Sequence, residues 1–233
     1  MSGAPVQPNE AGAPADAGGS AETLVRLRRA GVVAVLRGPD AERTLRGIDA
    51  LVARGVGAVE VTFCTPDTAV VIEQARAAHG DNLLVGAGTI RTSGEVEAAF
   101  AAGAEFLVSP GTRPEITRAM LATGRLSLSG ALTPSEVMLA AELGVHVIKL
   151  FPAALGGPAY LRSLRGPFAD IDLVPTGGVS VDNLADWLSA GAPFVGAGRE
   201  LCSTADLAAE RFDVIEERAR RFVAAARAAC APS

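Results

Sequence analysis

Residues 133–152, TPSEVMLAAELGVHVIKLFP, contain one complete structural unit. Thr133 is a helix-capping residue, and Pro134 suits the first helical position, where its missing N–H costs nothing. An amphipathic run continues to Leu143, and Gly144 stands just past it, where a left-handed residue is wanted. The run His146–Phe151 then reads as a buried strand ending at Pro152, with Lys149 in its middle.

The same helix–glycine–strand unit recurs in both directions. Apolar runs fall at Val32–Leu36, Ala58–Phe63, Leu83–Gly86, Phe106–Ser109, Leu126–Leu128 (the weakest), His146–Phe151, Leu173–Thr176 and Phe194–Val195. Between them lie amphipathic segments at Ala41–Ala53, Thr68–Ala78, Ser93–Ala102, Pro114–Thr123, Pro134–Leu143, Pro158–Leu164 and Val181–Ser189. Strict alternation with continuous apolar strands predicts a parallel sheet covered by helices. Eight repeats in about 180 residues favour a closed (β/α)₈ TIM barrel. The competing reading is an open, doubly wound sheet, which usually stops at about five or six strands. The barrel is expected to occupy residues 21–233 as one domain. Residues 1–20, rich in Ala, Gly and Pro without apolar periodicity, are expected to form a disordered tail.

Bulk composition narrows the function. With a net charge of −5, the chain of 233 residues lacks the basic footprint of a nucleic-acid binder. No apolar run reaches the roughly 20 residues that span a bilayer, so no membrane association is expected. The absence of a basic segment followed by an apolar one predicts a cytoplasmic protein. Cys64, Cys202 and Cys230 are far apart and odd in number, which suits reduced thiols. No cysteine has metal-binding spacing, and His79 and His146 have no carboxylate cluster near them in sequence. No metal and no cofactor are therefore expected.

Of the 21 basic residues, Lys149 is the single lysine and the rest are arginine. That bias fits a GC-rich genome. It also isolates a residue whose chemistry arginine cannot replace, because guanidinium does not lose a proton and condense with a carbonyl.

In such a barrel the active site lies at the C-terminal ends of the strands, so the residues there carry the function. Lys149 interrupts an apolar strand, where a charged ammonium is costly to bury. Its face, shared with Val147 and Phe151, is assigned to the lumen, because the opposite face packs on apolar helices. Glu60 is likewise embedded in AVEV and can shuttle protons for an amine; the alternative is a purely structural ion pair between the two. Thr176-Gly177-Gly178, followed by Ser180 and a helix from Val181, reads with Gly196-Ala197-Gly198 as a phosphate cradle at strands 7 and 8. Arg37, directly after strand 1, can clamp a carboxylate, and Thr89 offers a hydroxyl and a nearby N–H. Cys64 stands near the site without an adjacent histidine, so it is not read as a nucleophile.

The motifs VVAVLRG, GVGAVEVTF, TPDT, VGAGTI, GAEFLVSPG, LTPSEVMLAAELG, VIKLFPA and VPTGGVS span nearly everything after the tail. With them the chain resembles the 2-keto-3-deoxy-6-phosphogluconate / 4-hydroxy-2-oxoglutarate aldolase family. The resemblance implies a metal-free class I aldolase, typically a homotrimer, that releases pyruvate from a phosphorylated 2-keto-3-deoxy sugar acid. It places Lys149 at the Schiff-base position and Glu60 at the general acid/base. It places Thr89, Pro110 and Phe151 in the pyruvate pocket, Arg37 at a substrate-binding arginine, and Gly177 and Gly178 at the phosphate. This chain departs at Cys64, where some members carry arginine, and at Gly198, where some carry serine. Ser129-Gly130 replaces a common Pro-Gly. The gluconate and galactonate epimers and unphosphorylated 4-hydroxy-2-oxoglutarate stay open as substrates. So do a sugar-phosphate epimerase or isomerase and a non-catalytic phosphometabolite-binding barrel, since fold does not dictate function.

Overall fold

A computed structural model describes residues 17–145 and 147–230. Its apolar runs form eight strands: β1 (Val32–Leu36), β2 (Ala58–Thr62), β3 (Leu84–Gly88), β4 (Phe106–Val108), β5 (Leu126–Ala131), β6 (Val147–Leu150), β7 (Asp172–Pro175) and β8 (Val195–Ala197). Every neighbouring pair runs parallel, in the order β7-β6-β5-β4-β3-β2-β1-β8. A parallel bridge between Thr176 and Gly196 joins the two end strands. That bridge decides for the barrel over the open sheet.

Helices fill the intervals: α2 (Ala41–Val52), α3 (Thr68–His79), α4 (Ser93–Ala101), α5 (Pro114–Ala122), α6 (Pro134–Glu142), α7 (Gly157–Arg165) and α8 (Leu184–Ser189). The Thr133 cap is real: its side chain accepts from the Glu136 N–H, and Glu136 reaches back to the Thr133 N–H. After α6, Gly144 takes the left-handed conformation expected of it, with φ 93°. Three further helices carry no counterpart in the sequence reading: α1 (Ala17–Ala30), α9 (Thr204–Ala208) and α10 (Phe212–Cys230). Residues 17–20, expected in the tail, thus begin α1; the rest of the expected tail lies outside the described residues.

Two boundaries moved for identifiable reasons. β5, the weakest apolar run, extends over LSLSGA because its serines are buried and satisfied rather than solvated: Ser129 Oγ meets Thr117 Oγ1 of α5 at 3.0 Å. α8 starts at Leu184 instead of Val181 because Asn183 holds the preceding turn. Its Oδ1 accepts from the Ser180 N–H at 2.9 Å and its Nδ2 donates to the Gly178 carbonyl at 2.9 Å.

Strand alternation splits the core in two. Ala34, Leu36, Val59, Val61, Ile148 and Leu150 face outward into the layer shared with the helices. Val33, Ala58, Leu84, Phe106, Leu126, Val147, Val174 and Phe194 form a separate cluster inside the barrel. Leu27 of α1 joins this inner cluster and is wholly buried, so α1 seals one end of the lumen. Each such large side chain removed from water contributes roughly 1.5–3 kcal/mol.

Candidate active site

Lys149 shares the lumen face with Val147, two residues before it on β6. Its Nζ lies 3.1 Å from Glu60 Oε1 on β2, with the two side chains 6% and 5% exposed. The approach depends on the strand beside Glu60. A Cβ on Gly88 would sit 1.9 Å from that same carboxylate oxygen, so β3 must present a glycine there. Lys149 Nζ also lies 5.5 Å from the centre of the Phe151 ring, within cation–π range when protonated.

Lys149 borders a cavity of about 590 Å³ at the C-terminal ends of the strands, while Glu60 reaches it only through its contact with the lysine. Thr89, Pro110 and Phe151 line it beside Lys149, and Arg37 lines it from the end of β1. Thr89 is β-branched yet holds a left-handed conformation with φ 56°, a strained arrangement that clusters at functional sites. Arg37 makes no ion pair among the described residues. Its guanidinium is therefore uncommitted.

Thr176, Gly177, Gly178 and Gly198 line another part of the same cavity. Gly177 and Gly178 have φ 85° and 84°, and a Cβ on Gly178 would fall 2.5 Å from Ala154 Cβ. The loop after β6 is tied to this turn: the Ala153 and Ala154 N–H groups donate to the Thr176 and Gly177 carbonyls, each at 2.9 Å. The Gly178 N–H has no partner among the described residues. One unit therefore carries the lysine strand and an amide-bearing, glycine-rich turn that suits an anion.

Ala197 does not belong with these residues. It is fully buried in the outer layer, paired in register with Ala34, while Gly196 and Gly198 flank it. Residues two apart share a face, so a strand that turns Gly198 inward must turn Ala197 outward. Cys64 is exposed and is absent from the cavity wall. His79 bonds Asp49 at 2.9 Å on the surface, and His146 lies outside the described residues.

The sequence reading missed the loop after β8. Arg199, Glu200, Cys202, Ser203 and Thr204 all line the cavity. Arg199 Nε stands 3.6 Å from Glu200 Oε1, with both side chains largely exposed. Burial pushes the Cys202 thiol up to about 12, so it stays protonated and unreactive at neutral pH. The rule that singled out Arg37 after strand 1 applies equally after strand 8, and reading GRELCST by it would have found these residues.

The site and scaffold together define a class: a parallel (β/α)₈ barrel whose lumen buries an amine against a carboxylate beneath an open, glycine-rimmed cavity. The chain belongs to the KDPG and KHG aldolase family, whose model matches residues 24–218. It is 36% identical over 210 residues to the KHG/KDPG aldolase of Escherichia coli strain K12, covering 89% of this chain and 97% of that protein. It is 32% identical over 171 residues to the 2-dehydro-3-deoxy-6-phosphogalactonate aldolase of the same organism, covering 73% and 83%. Among solved structures, the KDPG aldolase of Legionella pneumophila superposes with a TM-score of 0.79 at 29% identity, over 85% of this chain and 97% of that one. That structure holds pyruvate captured as a covalent carbinolamine.

Proposed function

We propose that this chain is a class I aldolase that cleaves and forms 2-keto-3-deoxy-6-phosphogluconate, through a Schiff base on Lys149 and without a metal. The observation that carries this reading is the buried contact of 3.1 Å between Lys149 Nζ and Glu60 Oε1. Proton transfer across that contact leaves a neutral amine beside a carboxylic acid, the pair that imine formation needs. The amine adds to the C2 ketone; Glu60 protonates the resulting C2 oxygen, water leaves, and a protonated imine remains. Glu60, now a carboxylate, removes the C4 hydroxyl proton. The C3–C4 bond breaks, its electrons pass into the imine, and glyceraldehyde 3-phosphate departs. Glu60 returns the proton to C3 of the enamine, and hydrolysis of the new imine frees pyruvate and the amine.

Arg37 and Thr89 hold the carboxylate in this scheme, with Pro110 and Phe151 against the pyruvate carbons. The turns at Thr176, Gly177, Gly178 and Gly198 receive the phosphate. Two family relatives carry names pointing to the galactonate epimer and to 4-hydroxy-2-oxoglutarate. Comparing kcat/KM over the two epimers and 4-hydroxy-2-oxoglutarate ranks these substrates. A homotrimer belongs to the same reading and is checked by the mass in solution. No helix among the described residues is long and apolar enough to cross a membrane.

The decisive experiment is borohydride reduction with pyruvate. One adduct per chain should form and map to Lys149, the single lysine. An adduct elsewhere, or none, sinks the mechanism.

A further inference from the structure

The segment that carries Arg37 is held by an unusual concentration of threonine hydroxyls. Thr204 Oγ1, on the first residue of α9, donates to the Arg37 carbonyl at 2.8 Å. The Gly38 N–H donates to Thr65 Oγ1, in the loop after β2, at 3.0 Å. These are the two polar ends of one peptide unit, pinned from opposite sides by the start of α9 and by the loop after β2. Thr62 Oγ1 donates to the Leu36 carbonyl just upstream at 2.8 Å, and Thr44 Oγ1 donates to the Asp40 carbonyl just downstream. Gly38 leaves no slack, because a Cβ there would lie 1.6 Å from Thr44 Oγ1.

Thr65 is itself fixed. It is 4% exposed, its N–H donates to the Thr62 carbonyl at 2.9 Å, and its carbonyl accepts from Thr68 Oγ1 at 2.7 Å. A peptide plane bonded at both ends cannot rotate without losing both bonds. Holding that plane sets ψ of Arg37 and φ of Gly38, and so the direction in which the arginine leaves the backbone. Direction matters here because no carboxylate among the described residues orients the guanidinium. A long side chain on a fixed base loses less conformational freedom when it binds.

We propose that Thr204 and Thr65 are positioning residues that aim Arg37 at the carboxylate of the substrate. This rests on the reading of Arg37 as the carboxylate ligand. The test separates the two. The half-saturating pyruvate concentration for borohydride trapping is measured for the unaltered protein, Thr204→Val, Thr204→Ser, Arg37→Ala and the Arg37→Ala/Thr204→Val double variant. Valine keeps the shape and removes one hydroxyl bond, so Thr204→Val should raise that concentration about fivefold. The trapping rate at saturating pyruvate should not change. Thr204→Ser should restore the original value, and Thr204→Val should add nothing once Arg37 is gone. Thr65→Val reports on the other end of the same peptide and should shift the value in the same direction.

An unchanged value for Arg37→Ala overturns the reading of Arg37 itself. A raised value for Arg37→Ala, with either no effect of Thr204→Val or an effect that persists without Arg37, overturns the positioning role. Failure of serine to rescue overturns it as well.

Discussion

The two halves of the barrel lumen are built by the same strands, a step of two residues apart, and they are opposites. Ala58 gives way to Glu60 on β2, and Val147 to Lys149 on β6. Leu84 gives way to Gly86 and Gly88 on β3, and Phe194 to Gly196 and Gly198 at β8. The first half is an apolar plug sealed by Leu27 of α1. The second is an amine, a carboxylate and a set of absent side chains. The difference shows a division of labour within one core. The plug supplies burial and excludes water from beneath Lys149, while the glycines empty the volume above it. Residues at the two ends of a strand should therefore fail in different ways when altered.

The largest effect is expected for Lys149→Met, which should lower pyruvate release by roughly 10⁴-fold or more. It should also cost about 3–5 kcal/mol of stability, because Glu60 stays buried without its partner. Replacing Glu60 with Gln in the same chain should recover most of that loss in a urea titration. Activity within tenfold of the original would break the comparison.

Glu60→Gln alone keeps the shape and removes the proton shuttle, so kcat should fall by about 10²–10⁴-fold. The measurement is single-turnover cleavage. A fall confined to KM would mean that Glu60 only binds.

Leu27→Ala opens the sealed end. It should cost about 2–5 kcal/mol of unfolding free energy and leave KM nearly unchanged. A large loss of kcat without loss of stability would show that the plug takes part in the chemistry.

The smallest effect concerns the rim. Burial alone would raise the Asp206 carboxyl, but bonds from Ser203, Arg218 and Arg211 outweigh it and hold the group below its ordinary 3.8. A depressed acid contributes stability that is present above its unfolded value and is lost as pH falls through the lower folded value. The urea midpoint should therefore be flat across neutral pH and fall below about pH 4. Asp206→Asn should flatten that decline. Dependence near pH 7 instead would place the controlling group elsewhere.

These two halves were unequally legible. The lumen face of Lys149 was legible once strand alternation was combined with the need of the opposite face to pack on apolar helices, whereas the apolar plug beneath it emerged only from the fold. Gly177 and Gly178 were singled out from sequence and do line the cavity, but Ala197, grouped with them, turns its side chain into the outer layer. Its exclusion needs the register of β8 against β1, which a three-residue strand barely signals. α1 was invisible for a similar reason: Leu24, Leu27 and Ala30 face the inner cluster, too sparse a stripe to stand out in AGGSAETLVRLRRA. Arg199 and Thr204 follow no apolar pattern at all.

The sequence by itself determined the alternation of strands and helices, the single lysine and the strand that bears it. These are written in local periodicity and in residue chemistry. Only the tertiary structure decided that the sheet closes through Thr176 and Gly196, and that Lys149 meets Glu60, 89 positions away in the chain. It alone brought Thr204 to the Arg37 peptide, 167 positions away. Closure and long-range contacts depend on the register of whole strands, and no local run of residues encodes that.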